Sequence, residues 1–220
     1  MTIRGLMTTL GVGTYVLLTR SVAGRRTPMD AVDGQRWWID RVAIEYRLRH
    51  DILADHPPRL RLTHLVSLLS PVYLIVAAAV LGVVALAVRR VAWSAAFLTV
   101  LAVGPVVRFV LKPLAGRRVP TAGGGTGLAF PSGHLAILGA FLMAVFLLTR
   151  DAATIWRIAV AIPLVCVAAG FAVLHTVTGN HFATDCLGGL LAGACLVAIG
   201  GSIASTLESN APIWTRVDAR

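Results

Sequence analysis

Six stretches of this chain run for about the length of a bilayer crossing with scarcely a charge in them, and nothing else in the sequence restricts its fold so much. About 20 mostly apolar residues in helical form cross a hydrocarbon layer. The stretches are residues 5–19, 64–88, 91–111, 131–149, 156–178 and 183–205. Hydrophobic residues make up 57% of the chain and charged residues only 14%, with a mean hydropathy of +0.79, whereas soluble domains are about a quarter charged. The expected fold is all-α: a polytopic membrane protein built as a six-transmembrane-helix bundle, residues 1–220 forming a single membrane domain. The first stretch is short and contains Thr and Gly, as a cleaved signal peptide can; the basic residues on both sides of it fit an anchor better.

The net charge is +10, yet the arginines are dispersed between apolar spans. That distribution fits the lipid bilayer's anionic head groups or an anionic substrate, and no nucleic acid. Cys166, Cys186 and Cys195 all fall inside apolar segments, an odd set that reads as small apolar filler. No metal-ligand spacing and no cofactor motif occurs. Six spans put both termini on one side, with Lys112 to Phe130 and Gly179 to Phe182 on the other. The tight Arg89-Arg90 turn and Arg150 with Arg157 favour the terminal side as cytoplasmic, because short loops weigh most in the positive-inside rule. The opposite face, extracytoplasmic on this reading, gathers all six histidines: His50, His56, His64, His134, His175 and His181.

Between spans one and two, residues 20–62 hold nine arginines and six acids. There Trp37-Trp38-Ile39 with Val42, Ile44, Tyr46 and Leu48 reads as an amphipathic interfacial helix, or equally as a loop helix packed on the bundle. Gly188, Gly189 and Gly193 permit close helix packing, within one chain or between chains. Oligomeric state is open.

Three segments carry chemistry. In Phe130-Pro131-Ser132-Gly133-His134, proline at the first helical position marks a helix start, where outward N–H groups and the helix dipole favour an anion. Ser132 adds a hydroxyl, Gly133 lets backbone approach, and His134 stands one turn in. Forty-seven residues beyond His134 comes His181, with Asp185 four residues on. On a helix that spacing shares a face, so Asp185 can hydrogen-bond one ring nitrogen and leave the other free to attack, the logic of a base and its orienting acid. A structural His–Asp pair is the bland alternative. Third, Lys112, Arg117 and Arg118 close span three, where cations can hold phosphate oxygens or simply snorkel. Arg108, one turn deeper than Lys112, is expected to face the bundle, with Asp185 as a candidate partner.

Together these segments resemble the type 2 phosphatidic acid phosphatase superfamily of membrane lipid phosphatases, whose pattern is K-x6-R-P, then P-S-G-H, then S-R-x5-H-x3-D. The resemblance covers about residues 63–205, leaving 20–62 as an interfacial addition. It implies that Lys112, Ser132 and Gly133 bind phosphate, that His134 is the general acid, His181 the nucleophile and Asp185 its partner. It also implies a metal-independent reaction at the extracytoplasmic face. Two positions depart from the pattern. Val119 stands where the first motif has arginine, and Leu174-His175 where the third has Ser-Arg. Losing two charge-assisted bonds to phosphate costs about 3–6 kcal/mol, so either Arg118 (or Arg117) and His175 rebuild the cradle, Arg118 being the favoured stand-in and His175 the poorer one, or the enzyme is weak or altered. The expected activity is hydrolysis of a lipid phosphate or diphosphate, a polyprenyl diphosphate first and phosphatidate-like lipids second. A lipid phosphotransferase and a non-catalytic lipid-binding or transport protein are the alternatives.

Overall fold

The computed structural model describes residues 3–22, 39–41, 70–88, 90–117, 127–149, 151–177 and 181–209. Among them the regular structure is helical, without a strand. The helices are α1 (Ile3–Val22), α2 (Pro71–Ala87), α3 (Val91–Ala115), α4 (Gly133–Leu148), α5 (Thr154–Val177) and α6 (Ala183–Ser209). Every expected apolar stretch therefore holds a helix, but they are not equivalent. Among the described residues α3, α5 and α6 are long and apolar enough to cross a membrane, while the described parts of α2 and α4 are apolar but shorter. α1 is diluted by threonine and glycine and by Arg4 and Arg20. The three long helices mark a membrane protein, and exposed Val76, Val80, Ile162, Val165 and Ile203 on the helix exteriors suit lipid as the surrounding solvent. Of the expected interfacial segment, residues 20–22 are the end of α1 and residues 39–41 are described as helix; the other residues of 20–62 lie outside the described ones. His50, His56, His64 and Arg118 lie outside the described residues.

α4 and α6 form the most extensive pairing; α3 packs on both, α2 on α3 and α4, and α1 on α6. Phe97, Val100, Val103, Leu135, Leu138 and Val197 fill the shared interior. Glycine makes the α4–α6 contact possible. A Cβ at Gly193 would stand 1.9 Å from the Ala136 carbonyl oxygen, and one at Gly139 would stand 2.5 Å from that of Leu190. At Gly189 a Cβ would meet the Ser132 carbonyl oxygen at 2.5 Å, and at Gly188 the Phe130 ring at 2.3 Å. The glycines singled out in the sequence thus serve packing inside one chain.

Two local departures from straight helix shape the site. α3 contains Pro105, whose missing N–H and bulky ring disturb the ladder, and the turn that follows, Val107–Leu111, is π-helical. A π turn carries an extra residue, so positions four apart no longer share a face. This corrects the expectation for Arg108. It is exposed, its guanidinium 5.7 Å from the centre of the Phe109 ring, and it does not reach Asp185. α3 ends at Gly116, with φ 65, the left-handed cap that glycine takes without a Cβ penalty. Its N–H bonds the Lys112 carbonyl at 3.0 Å.

The start of α4 is also corrected. Ser132, not Pro131, borders the helix: it is the N-cap, with φ −66 and ψ 122, and Pro131 precedes it. The cause is tertiary. Ser132 N–H is donated to the Asp185 carbonyl at 3.0 Å, which holds the backbone extended at that residue until the helix begins.

The glycine contacts predict a contrast in stability. Gly193→Ala forces a Cβ onto backbone that cannot swing aside, and overpacking of this kind costs about 1–3 kcal/mol. Gly170→Ala on α5 meets nothing within 4 Å and gains about 1 kcal/mol of helix propensity. Thermal unfolding in one detergent should therefore show a lowered midpoint for the first and an unchanged or raised one for the second.

Candidate active site

The ends of four helices meet here. α3 supplies Lys112 and, just past its cap, Arg117. α4 brings Ser132 and His134 at its N-terminus, α5 brings His175 near its C-terminus, and α6 follows directly on His181. The three imidazoles cluster: the His175 ring centre is 5.2 Å from that of His134 and 5.9 Å from that of His181. His175 is buried between them, with the Phe171 ring edge-on at 4.7 Å. The position where the resemblance puts arginine thus carries a ring in contact range of both other histidines. His134 is exposed and His181 is 12% exposed, so the cluster opens outward at His134.

Lys112 is half-buried and donates to the Leu128 carbonyl at 2.5 Å. Beside it, Ala129 N–H donates to the Arg117 carbonyl at 2.7 Å. These two bonds fasten the segment entering α4 to the end of α3. Lys112 is thereby tied to the chain three residues before Pro131. The Ser132 hydroxyl is buried and has no hydrogen-bond partner among the described residues. It lies at a helix start, where N–H groups and the dipole attract anions.

Asp185 differs from its expected setting. α6 begins at Ala183, so His181 precedes the helix and does not share a helical face with Asp185. Asp185 is instead the third residue of α6 and accepts from the Phe182 N–H at 2.9 Å, the return half of a capping box. His181 Nδ1 stands 3.7 Å from Asp185 Oδ2, beyond hydrogen-bond length. The carboxylate is occupied: its Oδ1 accepts from Arg117 Nη1 at 3.0 Å.

Arg117 is 2% exposed and is turned toward carboxylates. Its Nη2 donates to Asp40 Oδ2 at 3.0 Å, its Nη1 also donates to the Thr184 hydroxyl, and its guanidinium carbon lies 4.0 Å above the Phe182 ring centre. Asp40, fully buried, accepts in addition from the Thr184 N–H at 3.0 Å and the Thr184 hydroxyl at 2.8 Å. Burial of these charges is tolerable because each has a partner and several hydrogen bonds. Sequence reasoning passed over Asp40 and Thr184. The one local signal was an acid directly after the apolar Trp37-Trp38-Ile39. Among the described residues no group of three His, Cys, Asp or Glu side chains is arranged to hold a metal ion.

The family model described as the PAP2 superfamily matches residues 93–206, more than half of the chain and the whole run from α3 into α6. The chain belongs to the PAP2 superfamily. No curated protein and no solved structure matches it. Membership points to phosphatase-type activity, and the matched residues include Lys112, Ser132, Gly133, His134, His175, His181 and Asp185.

The unpartnered hydroxyl gives a test of the anion site. Ser132→Ala removes a buried group that has no hydrogen-bond partner among the described residues, an omission worth about 1–3 kcal/mol. The variant should unfold no earlier than wild type without ligand, while the rise in unfolding midpoint produced by inorganic phosphate should shrink.

Proposed function

We propose that this PAP2-superfamily protein is a lipid phosphate or diphosphate phosphatase of the cell membrane that works through a phosphohistidine. The observation that supports this most is the meeting of His134 on α4, His175 on α5 and His181 just before α6, beside the N-terminus of α4, with Asp185 Oδ2 3.7 Å from Nδ1 of His181. In the first step Nε2 of His181, the nitrogen turned from Asp185, attacks phosphorus in line. The bond to the leaving oxygen breaks, and His134 gives that oxygen its proton. In the second step His134 takes a proton from water, the resulting hydroxide attacks phosphorus, and the P–N bond breaks to release inorganic phosphate and free His181. Lys112, Arg118, the Ser132 hydroxyl and the backbone at Gly133 stabilise charge on the equatorial oxygens. Arg117, committed to Asp40 and Asp185, acts behind this cradle, and His175 completes it at the family's arginine position. The reaction needs no metal.

All six helices cross the membrane in this reading, with both termini cytoplasmic and the histidine end extracytoplasmic. The lipid tail stays in the bilayer while its head group enters among the loops, and a polyprenyl diphosphate is the favoured substrate, ahead of phosphatidate-like lipids.

Phosphate release from a panel of lipid phosphates and diphosphates in detergent tests this. Wild type should turn over with chelator present, His181→Ala should lose activity entirely, and His134→Ala should fall by about 10²–10⁴-fold. Arg118→Ala should weaken turnover by roughly 10- to 100-fold, the worth of one charge-assisted bond. Full activity in His181→Ala would sink the assignment. Transfer to an added lipid acceptor with little phosphate release would identify a phosphotransferase instead.

A further inference from the structure

Asp40 comes from the connection between α1 and α2, outside the residues that match the family, yet it is fully buried against the first turn of α6. We infer that Asp40 and Arg117 are positioning residues for the nucleophile: through Asp185 they set the orientation and charge that His181 meets. The inference rests on the proposed role of His181 as nucleophile, and the bonds themselves carry it. Asp185 is gripped at both oxygens, Oδ1 by Arg117 and Oδ2 by the Phe182 N–H. That grip fixes the carboxylate plane and leaves Oδ2 as the oxygen facing His181 Nδ1.

Arg117 offsets the charge of Asp185. Asp40 draws on the same guanidinium, so that Arg117 is shared between two carboxylates and Asp185 keeps more of its negative charge beside the imidazole. His181 needs that charge most when bond formation at Nε2 makes its ring cationic. Asp40 also caps α6 from a distant segment, since its Oδ1 takes the Thr184 N–H, one of the first-turn donors that the helix itself leaves without a partner. The Phe182 ring beneath the guanidinium keeps Arg117 from swinging away. The connection between α1 and α2 is in this way part of the nucleophile's support.

The test reads the nucleophilicity of His181 directly, in the full chain in detergent. Diethylpyrocarbonate modifies free imidazole nitrogens, and peptide mass spectrometry compares His181 with His134, an internal reference outside the clamp. In Asp40→Asn and in Arg117→Lys, which keeps the charge but cannot offer each carboxylate its own nitrogen in a planar fork, His181 should react about 10-fold more slowly, the usual weight of a supporting hydrogen bond. His134 should react at the wild-type rate. The double variant should be no slower than the slower single one, because both act through the same carboxylate. With phosphatidate or farnesyl diphosphate as substrate, the loss should fall on kcat with KM unchanged.

An unaltered His181 rate overturns the inference. So does faster modification of both histidines, which signals a loosened fold, or multiplicative losses in the double variant. If neither single variant yields a monodisperse protein, the pair serves folding alone and the inference is likewise overturned. Phosphate release that survives His181→Ala sinks the phosphatase reading while leaving the reactivity ratio to be judged by itself.

Discussion

Where α4 crosses α6, glycines and not side chains meet backbone. Gly139 on one helix and Gly189 and Gly193 on the other leave no room for a Cβ, and the two main chains approach until the Ser132 N–H bonds the carbonyl of Asp185. The rest of the site follows from that approach. It sets the N-terminus of α4 against the first turn of α6, so His134 and His181, 47 residues apart in sequence, surround the same buried His175. In lipid no hydrophobic gain drives helices together, and close packing with interhelical hydrogen bonds has to suffice. The glycine contact and the Ser132–Asp185 bond provide both.

The second constraint is charge. Two carboxylates and a guanidinium, nearly or wholly without solvent exposure, stand at one helix N-terminus. A helix start welcomes negative charge because its first N–H groups lack internal partners. Asp185 and Asp40 each take one such donor, at Phe182 and Thr184. Arg117 then makes a pair of like charges tolerable. Its arrival depends on α3 ending at Gly116, whose left-handed turn redirects the chain just before the arginine. A residue with the look of a phosphate ligand is thereby committed to carboxylates.

Much of this was legible from residue order, and the failures have identifiable causes. Apolar stretches of the right length marked α1 through α6, since burial in lipid demands long runs with few charges. Pro-Ser-Gly-His and His181 with Asp185 marked the end of the bundle where the three imidazoles meet. The regular 3.6-residue repeat that turns Arg108 toward the bundle does not hold through the π turn at Val107–Leu111. His181 was assigned to a helix that starts two residues later, which is why Asp185 stands 3.7 Å from it without a hydrogen bond. Asp40 escaped because its partners lie 77 and 144 positions away, and no local pattern reports such distances.

By itself the sequence determined that the chain is helical, that it belongs in a membrane, and which family it resembles. These are properties of composition and of short motifs, written in consecutive residues. Tertiary structure alone decided what each charged side chain faces. Whether Arg117 holds an incoming anion or Asp185, and whether Asp40 is solvated or sealed beneath α6, depends on how closely helices approach and where one of them turns. A single Cβ or a single inserted turn changes those distances by more than the length of a hydrogen bond.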